Sequence, residues 1–296
     1  LELLKGSMSK NPYQFSNGVF YIDINTIYQN PNFLNNDSLT KKLSNNILEV
    51  PSKNTVTGIF TVKFEYIILY NKKTDDYPTQ KIEKLKNIPL QKLKDTRLCL
   101  SLVLSVKGSI YGLGTSIYIP ENIPHSYQLG QAWRNSTYKE SGFSSDITNS
   151  EFEKADKLLI ELEKLDQSSK DKLHISLERL NNFGSAEPLV DRAIELRICL
   201  ESIFLNDGNK EQLRFRLALR AALFLGKNLE ERKEIFKTIK SAYDITSTAV
   251  HSGKLSSKAK TNILFKAAEL AKLAIIKLIN HGIVNWEDLE LKKPHT

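Results

Sequence analysis

The chain has 296 residues, of which 41% are hydrophobic and 26% charged, and its formal net charge is +8 with a pI near 9.2. This balance excludes a disordered chain, and the length exceeds what one compact core usually holds, so we expect two domains. The positive charge favours an anionic partner, nucleic acid first. Lysines spread along the chain are, however, more typical of a solvated surface than of a binding stripe.

The cysteines and histidines are not arranged as a metal or redox site. Cys99 and Cys199 each lie inside an apolar run, which is typical of small core residues in a reducing compartment. The chain has no CxxC and no HExxH pattern, and its five histidines are widely separated. We therefore predict no metal and no other cofactor.

The sequence also predicts no membrane span. The most apolar helical stretch is interrupted by Lys266, Glu269, Lys272 and Lys277. It falls far short of the roughly 18–20 apolar residues that a span requires. No signal peptide follows Met8, so we expect a cytoplasmic protein. We expect residues 1–7 (LELLKGS) to be a cloning remnant, and they are left out of the fold prediction.

The N-terminal half has the alternating pattern of β-strands. FSNGVFYIDI, TVTGIFTVKFEYIILY, RLCLSLVLSV and SIYGLGTSIYIP are rich in β-branched and aromatic residues and are separated by Asn, Pro, Asp and Gly clusters. We therefore predict an α+β protein whose residues 8–145 form a β-rich domain. No family is assigned to this domain, and we expect it to serve as a sensor or to dock a partner. The polar stretch WRNSTYKESGFSSDITNS is the predicted linker.

The C-terminal half, residues 150–296, has the 3.6-residue period of helices. Predicted helices cover Glu151–Leu165, about Lys170–Leu180, LVDRAIELRICLESIFL, EQLRFRLALRAALFLG, a helix that begins after Asn228, and Ala259–His281. Asn228 with Glu231 predicts an N-terminal cap, and Gly226 predicts a helix end. Short connections between them predict an antiparallel helical bundle.

The helix after Asn228 carries two distinct stripes. Ile235, Ile239, Ala242 and Thr246 form one, while Asp244, Ser247 and His251 form the other. Asp244 and His251 are two turns apart, a rise of about 10 Å that excludes a direct contact. A histidine in the last turn also interacts well with the helix dipole, which is the structural alternative to a role in chemistry.

The order of these segments resembles the Apea-like HEPN domain. It is carried by LHISLERLNN, Pro188, DRAIELRICLESIFL, RLALRAALFLG, ERKEIFKTIKSAYDITSTAVHSGK and the helix before NHGIVNWEDLEL. The resemblance covers about Leu173 to Leu291. It implies a helical-bundle domain of the kind found in prokaryotic antiviral defence and toxin systems and in RNA-processing proteins. It also implies a homodimer in which two copies of the late helix face a shared cleft.

The resemblance further implies a metal-independent endoribonuclease. Its motif is an Arg followed by a His, with four to six residues between them, at the end of the late helix. Attack of an RNA 2′-OH on its own phosphate needs a group that transfers a proton near neutral pH, which His provides. It also needs a fixed cation for the charge that builds on the phosphoryl oxygens, which Arg provides.

His251 falls on the histidine position of this motif, but the arginine position holds Thr246. Ile245 and Asp244 occupy the longer spacings, and neither is basic. Three explanations are open. The domain is inactive, or a displaced cation substitutes, with Arg220, Lys240 and Lys254 as candidates. The third is that the arginine was replaced so that a toxic protein could be expressed. Arg220 has a structural alternative as well, an ion pair with Glu201 or Glu195.

The sequence therefore predicts a HEPN-type ribonuclease effector of a defence or toxin module that acts on RNA such as tRNA or mRNA. His251 would transfer the proton, beside the Thr246 and Asp244 positions. Arg220, Lys240 and Lys254 are the predicted nucleic-acid contacts. The competing hypothesis is an inactive module of the same fold that mediates dimerisation or binds nucleic acid.

Overall fold

The described part of the first of two units is a three-stranded antiparallel sheet and most of one long helix. The computed structural model describes residues 13–23, 58–62, 79–106, 148–205, 211–253, 255 and 258–291. The strands are β1 (Tyr13–Gln14), β2 (Val19–Asp23) and β3 (Gly58–Val62), in the order β1-β2-β3. Gly18, at φ +83°, makes the turn from β1 to β2.

The prediction of a β-rich N-terminal domain is wrong for the described residues, which are mostly helical. RLCLSLVLSV, predicted as a strand, is mostly the end of helix α1 (Thr79–Val103). Leu98, Cys99, Leu100 and Leu102 are all buried there. A short run that is apolar on every side does not distinguish a buried strand from a buried helix. The predicted strands at 63–70 and 109–120 lie outside the described residues.

The second unit is a bundle of helices, most of which follow the predicted segments. Their bounds are α2 Asn149–Lys164, α3 Gln167–Ser185, α4 Leu189–Phe204, α5 Leu213–Leu225, α6 Leu229–Ser252, α7 Lys258–His281 and α8 Trp286–Leu291. Two boundary predictions differ in detail. Helix α3 is longer at both ends, and Gly226 ends α5 without a left-handed conformation (φ −79°). A glycine is needed there because an added Cβ would lie 2.6 Å from the Cγ atom of Arg232.

Helix α7 is the centre of this bundle. It packs against α2, α3, α4, α5 and α6. Its buried face carries Ala267, Ala268, Ala271 and Ala274, none of which is exposed. Small side chains let neighbouring helices approach closely, which explains how one helix contacts five others. Both cysteines are buried, as predicted, and burial raises the pKa of the Cys199 thiol.

The two units divide the chain within α1. Of the described residues, 13–23, 58–62 and 79–96 belong to the first unit, and 97–106 belong with the C-terminal helices to the second. The predicted linker lies almost wholly outside the described residues, so a domain boundary near residues 145–150 stays a prediction. None of the described helices is long and apolar enough to cross a membrane.

Replacing Ala271 by Leu tests the central role of α7. Because Ala271 has no exposed surface, three additional carbons must displace neighbouring side chains, and we expect a loss of about 1–3 kcal/mol in the free energy of unfolding. Leu273, on the same helix, is 53% exposed, and Leu273→Ala is the matched control with a change within about 1 kcal/mol. Urea denaturation of both variants gives the comparison. Equal stability of the two would contradict the packing described for α7.

Candidate functional site

The candidate site is the outward face of α6, the side that carries Asp244, Ser247 and His251. The helix is capped at both ends. Asn228 precedes the helix, and its side chain accepts a hydrogen bond from the Glu231 amide at 2.9 Å. The Glu231 carboxylate accepts one from the Lys227 amide, so the predicted cap is confirmed. At the other end Gly253 adopts φ +63° and its amide donates to the Ala249 carbonyl. The helix is thus regular to its last turn.

Thr246 lies in the core, not on the outward face. Its side chain has no exposed surface, and its hydroxyl donates to the Tyr243 carbonyl at 2.9 Å. Ile239, Ala242 and Ala249 are buried on the same side of α6. The first stripe of the sequence is therefore the one that packs. As folded, this position has no room for the arginine that the family resemblance would place there.

Asp244 lies on the outward face and holds a cation that the sequence reasoning missed. Its Oδ1 atom is 3.0 Å from Nε of Arg214, which belongs to the first turn of α5. Both side chains are about half exposed, so the pair is accessible to solvent. No sequence signal joins two residues that are 30 positions apart; only the antiparallel packing of α5 on α6 brings them together. The pair places a guanidinium on the α6 surface.

His251 is exposed in the last turn of α6, on the same side of the helix as Asp244. No hydrogen bond or ion pair holds its imidazole among the described residues, and the residue is exposed to solvent. The hydroxyls around it are engaged locally: Thr248 donates to the Asp244 carbonyl, and Ser252 donates to the Thr248 carbonyl. His251 is therefore available to a ligand.

Arg220 is buried and has structural partners. Only 1% of its side chain is exposed. Its Nε donates to Glu290 of α8 at 2.6 Å, and its Nη1 donates to the Phe204 carbonyl at 2.6 Å. The partners considered from the sequence are engaged elsewhere, since Glu201 pairs with Arg197 and Glu195 with Arg179. As placed, Arg220 is withdrawn from solvent and joins α4, α5 and α8.

Of the other two predicted cations, Lys240 belongs to the described residues and Lys254 does not. Lys240 is half-buried one turn before Asp244, and its Nζ lies 5.6 Å from the ring centroid of Phe236. Lys254 lies outside the described residues. The structure thus brings Lys240, Asp244 and His251 to one side of α6, while it places Thr246 and Arg220 in the interior.

A second arginine borders the α6 face from α4. Arg197 donates from Nε to Glu201 at 2.9 Å and from Nη2 to the Tyr243 hydroxyl at 3.3 Å, and it lies 5.0 Å from the Tyr243 ring centroid. Burial opposes the charge of Arg197, but the interactions with Glu201 and Tyr243 together outweigh it, so the pKa of Arg197 is raised. The guanidinium stays charged beside α6.

The arrangement can bind an anion and transfer a proton without a metal. The Arg214 ion pair uses Nε, and among the described residues no partner holds the remaining N–H groups of this guanidinium, which suit phosphate oxygens. His251 supplies an imidazole two helical turns from Asp244, the residue that holds Arg214. The described residues contain no cluster of three or more His, Cys, Asp or Glu side chains that would hold a metal ion.

Comparison with known proteins identifies no relative of this chain. No protein-family model, no curated protein and no solved structure matches it.

Replacing Thr246 by Arg tests the burial of the motif position. A guanidinium forced into this packed, unpaired position should lower the free energy of unfolding by about 3–5 kcal/mol or prevent folding. Ser247→Arg places the same side chain one residue later, at a half-buried position on the outward side of α6, and we expect a change below about 1 kcal/mol. Thermal and urea denaturation measure both. A Thr246→Arg protein as stable as Ser247→Arg would show that the position is not in the core.

Replacing Arg220 by Met tests its structural role. The change removes the donor to the Phe204 carbonyl and leaves Glu290 only its longer ion pair with Arg216 at 3.9 Å, and we expect a loss of about 3–5 kcal/mol. Arg179→Met removes a more exposed pair with Glu195 and should cost at most about 1 kcal/mol. In the double variant Arg220→Met/Glu290→Gln, part of the loss should be recovered because the carboxylate that lost Arg220 is replaced by a neutral amide. A double variant whose loss equals the sum of the losses of Arg220→Met and Glu290→Gln would argue against an interaction between the two residues.

Proposed function

We propose that the helical unit is a HEPN-type, metal-independent endoribonuclease in which Arg214 supplies the cation that is missing from the motif. One observation carries the proposal: the exposed His251 lies on the same side of α6 as Asp244, and Asp244 holds a solvent-accessible guanidinium. His251 takes up the proton of the attacking 2′-OH or donates one to the leaving oxygen. Arg214 keeps its orientation through Asp244 and binds phosphoryl oxygens through its remaining N–H groups.

The proposal also requires a homodimer. Asp244 and His251 are separated by a rise of about 10 Å along α6, which one phosphate does not span. The family resemblance implies that two copies of this helix face one cleft, so His251 of one copy would act with Arg214 of the other. Prokaryotic defence or a toxin system is the biological setting that the resemblance suggests, with tRNA or mRNA as the substrate.

A second candidate function is supported by the burial of Thr246. A family arginine at this position would be incompatible with the packing of α6. This fits an inactive member of the fold that binds RNA or mediates dimerisation. In that case Arg214 and His251 contribute to binding, and no bond is broken.

Cleavage of RNA by matched histidine variants tests the two candidates. The full chain, His251→Ala and His281→Ala are incubated with total tRNA and with mRNA in the presence of a chelator. His281 is a fitting control because it also lies exposed in the last turn of a helix and is followed by a glycine with positive φ. We expect the parent and His281→Ala to cleave alike and His251→Ala to lose about 100- to 10,000-fold in rate.

Arg214→Ala should lose about 100- to 1000-fold in the same assay, because it removes the proposed donor to the phosphoryl oxygens. Light scattering on each variant reports the oligomeric state, so a loss of the dimer is distinguished from a loss of chemistry. Equal and negligible cleavage by the parent, His251→Ala and His281→Ala would overturn the ribonuclease and favour the binding module.

A further inference from the structure

An aromatic pair lies at the edge of the α6 face. Phe215, in the first turn of α5, is 47% exposed and is the only strongly exposed aromatic residue among residues 148–205, 211–253 and 258–291. Its ring meets Phe236 of α6 in an edge-to-face arrangement, with centroids 5.6 Å apart and planes at 72°. About half of the Phe215 side chain is thus left to solvent beside α6.

Cations border this aromatic pair on both helices. Nζ of Lys240 lies 5.6 Å from the Phe236 centroid, and Arg214 precedes Phe215 directly in the chain. The carboxylate of Asp244, one turn after Lys240, is paired with Arg214. Aromatic rings combined with Lys or Arg are the elements that proteins use to bind single-stranded nucleic acid, since the rings stack on bases and the cations meet phosphates.

The aromatic pair is aligned with the candidate site. Phe236, Lys240, Asp244, Ser247 and His251 follow each other at spacings of four, four, three and four residues, which places them on one stripe of α6. The stripe extends over about 22 Å from Phe236 to His251. A strand of several nucleotides laid along it would meet the aromatic pair at one end and the imidazole at the other.

We propose that Phe215 and Phe236 form a stacking site for an unpaired base of single-stranded RNA, with Lys240 and Arg214 on the adjacent phosphates and the strand directed toward His251. The proposal deepens the RNA-directed function above and rests on it for the choice of ligand, but it concerns binding and needs no cleavage. A base-paired duplex keeps its bases stacked on each other and has none to offer to Phe215.

RNA fits this surface better than an apolar protein segment does. A protein that covered Phe215 would also have to desolvate Lys240 and Arg214, which is costly for charges that gain no new partner. An RNA strand supplies a phosphate for each cation and a flat apolar ring for the phenylalanines. The surface thus matches the ligand in both charge and shape.

Binding of labelled RNA by Phe215 variants tests the proposal. Fluorescence anisotropy is measured on the full chain carrying His251→Ala, so that no RNA is cut, with an unstructured oligoribonucleotide and with the same strand annealed to its complement. We expect preference for the single strand. Phe215→Leu keeps the apolar character but removes the aromatic face, and it should weaken binding by about 5- to 100-fold. Phe215→Trp should retain the parent affinity.

Two controls make the outcome decisive. Ile175→Ala changes a side chain of similar exposure (49%) on α3, distant in sequence from the stripe, and should leave binding unchanged; thermal denaturation verifies that each variant is folded. Parent-like binding by Phe215→Leu, or equal binding of single strand and duplex, would overturn the stacking site. If the cleavage assay fails but binding depends on an aromatic residue at 215, the stacking site stands and only the ribonuclease falls.

Discussion

The helical bundle depends on cations that satisfy the carbonyl groups at the ends of its helices. The last carbonyls of a helix have no partner within the helix and lie at the negative end of its dipole, so burying them requires a donor from elsewhere. In this protein the donor is repeatedly a Lys or Arg side chain. The pairs are Arg192 with Ala186, Arg220 with Phe204, Arg232 with Gly226, Lys272 with Leu104 and Lys277 with Phe224. In three of them a cation of α5 or α7 reaches the end of a different helix, so helix termination is coupled to tertiary packing.

The same kind of hydrogen bond, from an arginine side chain to a backbone carbonyl, occurs in two helix–helix turns of the bundle. Arg192 and Arg232 are each the fourth residue of their helix, and each donates from Nε to a carbonyl six residues earlier, at 3.1 Å in both cases. The turns from α3 to α4 and from α5 to α6 therefore share one construction, 40 residues apart. Five of the chain's cations are committed to such contacts, which changes the meaning of the net charge of +8. Part of the positive charge is a component of the fold and is not available to an anionic partner.

The sequence predicts the parts of the structure that are local. Helical period and caps located α2 to α7, and the period put Thr246 on one stripe with the apolar residues Ile239 and Ala242, the stripe that the structure buries. The same threonine occupied the arginine position of the motif, and the two interpretations conflict because one residue cannot both fill the core and face a cleft. Contacts between distant helices are not local. Nothing in the sequence links Arg214 to Asp244 or Arg220 to Glu290, and the apolar run at 97–106 fits a buried strand as well as a buried helix.

Supplying the cation from α5 in place of α6 would make the geometry of the site depend on the packing of two helices. An arginine within the motif helix keeps its distance to the histidine as long as that helix is formed. Arg214 keeps its place on the α6 face only while α5 and α6 remain packed, and Phe215 with Phe236 strengthens that contact at the surface beside Arg214. A ligand that binds across Phe215, Arg214 and the α6 stripe would therefore stabilise the hairpin on which its own binding depends. If the ligand is the RNA proposed above, its binding and the rigidity of the α5–α6 hairpin would be two measures of the same interaction.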